Sequence, residues 1–370
     1  MLILRALYSM NWYNVSPLLF RITSFYGISD AYSGLILSAF LIGTAIFQVP
    51  SGIVAARIGS KNTALSGMVI MSISVIFSIF SPNFFIFLIS RFLVGVGSAF
   101  FFSSGIGVLN DLDNTNSSRN IASFNTAFSI GGGAGVIIYS VANIYVQWQL
   151  LLLYGGIVTL IFTVIAFILI PISPMAEERS DFIKNVKGRI TSKPLILLSL
   201  ALSGYWGLNF TFEEYEKPFA VALHFMQTTS GLIGSLTLFS GILGLLVFKR
   251  LSLNRPSRIL PALLLLVSLS IALQATGISY YIFYTAIMGG ALSVILFSLE
   301  YSYVIKLEQE QRFVPLGISI MNAIQIAVGS IITFAFGYMF SLSPYYSWVA
   351  LGIISLLFYP LGYGTIRKIS

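Results

Sequence analysis

The sequence predicts an all-α membrane protein with twelve transmembrane helices in two pseudo-symmetric six-helix bundles. Three observations carry that expectation. Of the 370 residues, 57% are hydrophobic and only 9% are charged, whereas a soluble domain carries about 25% charged residues. So few charges cannot solvate a folded surface, so lipid is the solvent for most of the chain. The apolar runs are continuous rather than alternating, which argues against a β-barrel. Finally, Lys and Arg collect in every second loop, as they do where a polytopic chain faces the cytoplasm.

A span needs about 20 apolar residues. Twelve fit, at 3–25, 32–54, 63–81, 84–108, 121–145, 149–171, 195–219, 229–248, 259–276, 280–304, 314–340 and 344–366. Span 1 competes with a signal peptide, but Asn11, Asn14 and Arg21 interrupt its apolar run and no small-residue cleavage site follows. With both termini inside, 17 of the 20 basic residues fall on the inner side. They include Arg5, Arg57, Lys61, Arg119, Lys249, Arg250, Arg258, Lys306 and Arg367. The exceptions are Arg21, Arg91 and Lys217. The net charge of +8 is thus a topology signal, and no nucleic-acid partner is expected.

The longest loop follows span 6, is polar, and is bracketed by Pro171, Pro174 and Pro194. It divides the chain into an amino-terminal bundle (1–172), a cytoplasmic central loop (173–194) and a carboxy-terminal bundle (195–370). The two bundles repeat. Ser33-Gly34-Leu35 opens span 2 and Ser230-Gly231-Leu232 opens span 8, an offset of 197. The same offset pairs Ser38 with Ser235 and Asn125 with Asn322. Parallel repeats of this kind are a transporter architecture, with the solute site between the halves near the midplane.

Between spans 2 and 3 lies Gly52 to Lys61, GIVAARIGSK, read as a short basic turn. It resembles the loop signature G-x-x-x-D-R-x-G-x-[RK] of the major facilitator superfamily, with Ala56 in place of the usual Asp. Arg91 to Ala99 in span 4, RFLVGVGSA, is similar to that family's R-x-x-x-G-x-G-x-A pattern. Gly131 to Gly135 in span 5 matches its antiporter glycine motif in part, without the Pro. The resemblance covers the whole chain and implies alternating access by rocking of two halves. It also implies that the turn is a conformational latch, built from Gly52, Arg57, Gly59 and Lys61. Because Ala56 cannot supply the family's acidic partner, Asp111 or Asp113 just past span 4 is expected to pair with Arg57 or Lys61.

Ionisable side chains inside spans are costly and usually face a cavity. Here they are Arg21 in span 1, Arg91 in span 4, Glu213 and Glu214 in span 7, and Glu300 in span 10. By the resemblance, spans 1, 4, 7 and 10 line the central cavity. Helical spacing places Asn11, Asn14 and Arg21 on one face of span 1, and Trp206, Asn209, Glu213 and Lys217 along one stripe of span 7. Asn125 and Asn322 join this set of candidate binding or coupling residues. Each has a bland counterpart. Arg21 can snorkel to headgroups, Arg91 can hydrogen-bond backbone carbonyls, and Glu213 can be solvated at the outer edge. Glu214 and Glu216 read as interfacial partners of Lys217, and Glu300 as an ion-pair partner of Lys306.

Two mechanisms fit. In one, Arg91, with or without Arg21, holds an organic anion and an acidic residue of the other half carries the proton. In the other, a Phe-rich cavity exports hydrophobic or cationic compounds against protons taken up by Glu213. The excess of Arg in the amino half favours the first, and the glycine-rich span 5 the second. A non-transporting membrane solute sensor is the alternative of another class.

An enzyme is not expected. The chain has no Cys and one His, His224, so thiol chemistry and a multi-His metal site are excluded. There is no Gly-x-Ser-x-Gly nucleophile turn and no phosphate-binding glycine loop with Lys, so no cofactor is expected. The expected partners are a small-molecule solute, protons and membrane lipid. The expected location is the cell membrane, as a monomer with both termini cytoplasmic.

Overall fold

The computed structural model describes residues 1–112, 117–171, 188–248, 256–307 and 314–369, with side chains except at 56, 57, 110, 117–122, 256–258, 305, 314, 315 and 369. These residues form helices joined by short connections, and no strand occurs among them. Eleven helices among the described residues are individually long and apolar enough to cross a bilayer. The twelfth, span 1, is divided. It runs as Leu2–Tyr13, a 3-10 turn at Ser16–Leu18, and Leu19–Phe25. Pro17 explains the break: without an N–H it cannot bond back to the carbonyl of Tyr13 four residues earlier. The remaining spans begin with Ser33–Ile58, Ser60–Ser78, Phe84–Leu112, Ser117–Tyr145 and Trp148–Leu169. Lys193–Ala222, Gln227–Phe248, Pro256–Ala272, Ser279–Leu307 and Val314–Leu342 follow. Span 12 is Tyr346–Leu357, continued through a 3-10 turn at Tyr359–Gly362 into Tyr363–Ile369.

The expected turn at 52–61 is almost entirely helix. Span 2 continues to Ile58 and span 3 starts at Ser60, so Gly59 alone separates them. Its φ of 85° lies where a side chain would strain the backbone. Gly52, read from sequence as part of the turn, is inside span 2.

The end of the bundle that carries Met1 is called the basic end, and the opposite end, with the short connections after spans 1, 3, 5, 7, 9 and 11, the far end. Within each set of six, two helices cross at backbone contact. A Cβ at Gly95 would stand 2.0 Å from the carbonyl oxygen of Phe40, and one at Gly43 2.1 Å from that of Phe92. The second set repeats this between spans 8 and 10, with Gly290 2.0 Å from Thr237 O and Gly244 2.1 Å from Ala291 O. Crossing hydroxyls repeat too, from Thr44 to Gly95 O at 3.1 Å and from Ser240 to Ala286 O at 3.1 Å.

Spans 6, 9 and 12, the peripheral supports, are the least buried of the eleven long apolar helices. The apolar window of span 7 is 83% buried, whereas those of spans 6, 9 and 12 are 33, 39 and 28% buried. The supports present exposed Ile161, Ile168, Leu269 and Ile353 to the surroundings, as helices facing lipid must.

Candidate functional site

The two sets of six spans meet around a cavity of about 170 Å³. Span 1 supplies its wall with Arg5, Tyr8, Trp12 and Tyr13, which at i, i+3, i+7 and i+8 fall on one helix face. Span 7 faces them with Trp206, Asn209, Phe210 and Glu213. Trp206 and Phe210 stack with centroids 5.5 Å apart and ring planes 6° from parallel, and Trp12 meets Phe210 edge-on at 6.1 Å. Asn125 and Asn322, paired by the internal repeat, both reach the wall, as do Gln48 and Tyr301.

The far end is closed by three seams between the sets. Where span 1 breaks, the Ser16 hydroxyl donates to the backbone carbonyl of Glu214, and Lys217 Nζ donates to Pro17 O at 2.9 Å. Span 2 meets span 7 through Ser33 and Tyr215, oxygen to oxygen 2.9 Å, and span 11 through Ser38 donating to Ser330 O at 2.6 Å. Spans 5 and 8 meet through Ser235 donating to Gly133 O at 2.8 Å. Toward the basic end, Ser103 and Ser319 link spans 4 and 11 at 3.2 Å.

Glu213 is the acidic side chain of the cavity wall among the described residues. Its Oε2 accepts from the Tyr13 hydroxyl and its Oε1 from Asn209 Nδ2 at 3.1 Å. The carboxyl of the second set is therefore held by a phenol of the first. Arg5 is the basic side chain of the same wall. The charge count places it on the inner side as a topology signal only; in the fold it is 2% exposed, inside the bundle. Its guanidinium carbon lies 4.2 to 5.0 Å from the ring centroids of Tyr8, Phe102, Phe124 and Phe128.

The cavity thus gathers Trp206, Asn209, Glu213, Asn125 and Asn322 from the residues singled out in the sequence. The others stand elsewhere. Arg91 is buried behind span 1, where its Nη1 donates to Asn14 Oδ1 at 3.2 Å. The carboxylate that acts on it is Glu214. Asn11 ties span 1 to span 6, donating to Thr159 Oγ1 at 2.7 Å. Arg21 is exposed at the far end beside Trp148. Glu300 is buried and accepts from Gln325 Nε2 at 3.0 Å; Lys306 is exposed and is not its hydrogen-bond partner. Glu214 and Glu216 are fully buried rather than interfacial. Gln274 donates to Glu216, and Lys217 turns to span 1 instead.

Of the latch residues, Lys61 donates to Phe167 O in the last turn of span 6 at 2.9 Å, where a cation caps free carbonyls. Asp111 is exposed near the end of span 4. The Arg57 side chain, Asp113 and the central loop at 172–187 lie outside the described residues.

Residues 1–308 match the family profile described as Major Facilitator Superfamily. The chain belongs to the Major Facilitator Superfamily. Its twelve spans are that superfamily's fold, and the superfamily consists of transporters, not enzymes. Among solved structures, a bacterial homolog of the human lysosomal transporter Spinster, inward-facing and unoccupied, superposes with a TM-score of 0.77. That alignment covers 100% of this chain and 96% of the other at 14% identity. A sphingosine-1-phosphate transporter of Mus musculus is 24% identical over 261 residues, 63% of this chain and 47% of the relative. The "probable anion transporter 5" of Arabidopsis thaliana is 37% identical over 79 residues, 21% of this chain and 18% of the relative. The chain spans about half the length of the first curated relatives it matches.

Proposed function

We propose that this superfamily member is a secondary active transporter for a small organic anion, driven by protons carried on Glu213. The observation that carries the reading is the Tyr13–Glu213 hydrogen bond. It joins the two sets of spans at the wall of the cavity they share. A charged Glu213 accepts from Tyr13 and Asn209 and holds span 1 against span 7. Proton loading removes an acceptor from that contact and loosens the seam beneath Ser16 and Lys217. Proton binding and opening of the far end are then one event, which is what coupling by differential stabilisation of two states requires. Two of the similar proteins are named as transporters of sphingosine-1-phosphate and of anions, which supports an anionic solute.

The distribution of Lys and Arg supports an orientation in the cell membrane with the basic end cytoplasmic. With the far end sealed, the cavity is then read as inward-facing. Arg91 with Glu214 serves in this scheme to fix span 1 at its break, and the turn around Gly59 serves as the latch of the basic end.

A second reading is proton-driven efflux of hydrophobic cations. The Trp206–Phe210 stack beside Glu213 favours it, because aromatic faces and a carboxylate suit a cation. The experiment that separates the two is a thermal-shift screen of the purified protein against carboxylates, organic phosphates, sugars and hydrophobic cations, at two pH values. A bound ligand stabilises by mass action. Stabilisation by anions, with flux of the same compounds in proteoliposomes under a pH gradient, is the expected result. Stabilisation by cations alone would select the efflux reading.

A further inference from the structure

Among the described residues, no carboxylate acts on the buried cation Arg5. The groups that act on it are the phenols of Tyr8, which also hydrogen-bonds it, Tyr301 and Tyr13. Its Nε and Nη1 are buried and make no hydrogen bond. Aromatic faces attract a guanidinium, but they do not replace acceptors for its five planar donors. A charge removed from water with one phenol as its partner and no opposite charge is strongly unfavourable. The missing partner is an acceptor of negative charge, and the cavity that Arg5 lines is the space from which one can reach it.

The rest of the wall defines what accompanies that charge. Arg5 and Tyr13 are eight residues apart on one helix, which is about 12 Å of rise. Tyr13 holds Glu213, so the cavity has a cationic pole toward the basic end and an acidic pole about 12 Å away along span 1. Between them lie Tyr8, Trp12, Phe128 and Phe210. We infer that Arg5 is the oxyanion-binding residue of this cavity, and that its ligand is an amphiphile with a carboxylate or phosphate head on Arg5 and an apolar body along the aromatic wall. A guanidinium suits this head because its fork matches two oxygens at once.

The inference rests on the transporter reading for its biology, but binding and flux are measured separately. The probes are 2-naphthylacetate, neutral 2-naphthaleneethanol and cationic 2-(2-naphthyl)ethylamine, titrated calorimetrically into protein in a neutral detergent. The first arm needs no variant: the anion is expected to bind roughly tenfold more tightly than the alcohol, and equal affinities would overturn the proposal. In Arg5→Gln the anion's advantage is expected to vanish while the alcohol's affinity stays within about threefold. An unchanged advantage in that variant would also overturn it. Should Arg5→Gln not fold, Arg5→Lys, which keeps charge without the fork, is expected to keep a reduced advantage; an undiminished one counts against Arg5.

The source of the head is read in nanodiscs. If Arg5 holds a lipid phosphate, phosphatidylglycerol weakens 2-naphthylacetate binding relative to pure phosphatidylcholine in the parent and not in Arg5→Gln. If it holds a free organic anion, lipid composition has no effect on either. Both outcomes support an oxyanion at Arg5. Binding by these rules without flux of 2-naphthylacetate in proteoliposomes would refute transport of this class and leave the Arg5 assignment intact. Flux that survives in Arg5→Gln would do the reverse.

Discussion

Tyr13, on the last turn of the first half of span 1, donates its phenolic hydrogen to Oε2 of Glu213 in span 7. The bond reaches across the interface between the two sets of six spans. It sits directly below the place where Pro17 breaks span 1 and where Lys217 and Ser16 tie that break to span 7. Removing the hydroxyl alone tests whether this bond couples the halves. Tyr13→Phe keeps the ring and its packing on Phe128 and is expected to fold normally. Flux under a proton gradient should fall roughly tenfold, the scale of one lost charge-assisted hydrogen bond. Flux equal to the parent would separate this bond from coupling.

Arg91 and Glu214 test the support behind span 1. The two are buried and act on each other electrostatically, so removing one leaves the other less compensated. Arg91→Gln should therefore lower the melting temperature clearly and abolish coupled transport while leaving membrane insertion intact. Adding Glu214→Gln to the same chain should recover most of the lost stability. Independent, additive losses would show that the two side chains do not sense each other.

Closure of the far end depends on how near spans 2 and 11 come. A Cβ at Gly34 would lie 2.8 Å from Thr333 O and 2.9 Å from Phe334 Cα, backbone atoms that cannot step aside. Gly34→Leu should hold the far end apart. The chain contains no cysteine, so Ser33→Cys introduces a single label. In that background a membrane-impermeant maleimide should react several-fold faster when Gly34→Leu is present. Equal rates would mean that the far-end seam does not need this contact.

Much of the fold was legible because hydropathy and charge act over whole helices. Twelve apolar runs, the alternation of basic loops and the repeat of Asn125 as Asn322 survive errors of a few residues at any boundary. The break in span 1 was signalled by Pro17, but an apolar run reads as continuous until the carbonyls around the proline find partners. Those partners, such as Lys217, come from 200 residues away. Arg5 was missed for a related reason. A basic residue four positions after Met1 satisfies the positive-inside rule equally well in a loop or in a buried first turn. Only packing against Phe124 and Phe128 of span 5 distinguishes the two. Glu214 and Glu216 flank Lys217 on a sequence that looks interfacial, and their burial follows from how deeply span 7 sits in the bundle. Glu213, Asn209 and Trp206 were legible because helical spacing alone puts them on one stripe.

The latch is the part of the scheme that sequence still carries. Lys61 is engaged with Phe167 O, which leaves Arg57 as the residue proposed to meet Asp111 or Asp113. Arg57→Asp and Asp111→Arg should each reduce uptake, and the two together should restore it, with Asp113→Arg as the alternative partner. Failure of both exchanges would mean that the turn around Gly59 does not latch through these acids.

The central claim is that Glu213 carries the proton that drives an organic anion. It is tested most directly with proteoliposomes enclosing a pH-sensitive dye. Addition of 2-naphthylacetate, or of an anion selected by the thermal-shift screen, should evoke a pH change inside vesicles holding the parent protein. In Glu213→Gln vesicles the pH change should be absent while radiolabelled exchange of the same anion continues. An undiminished solute-evoked pH change in Glu213→Gln would contradict the account.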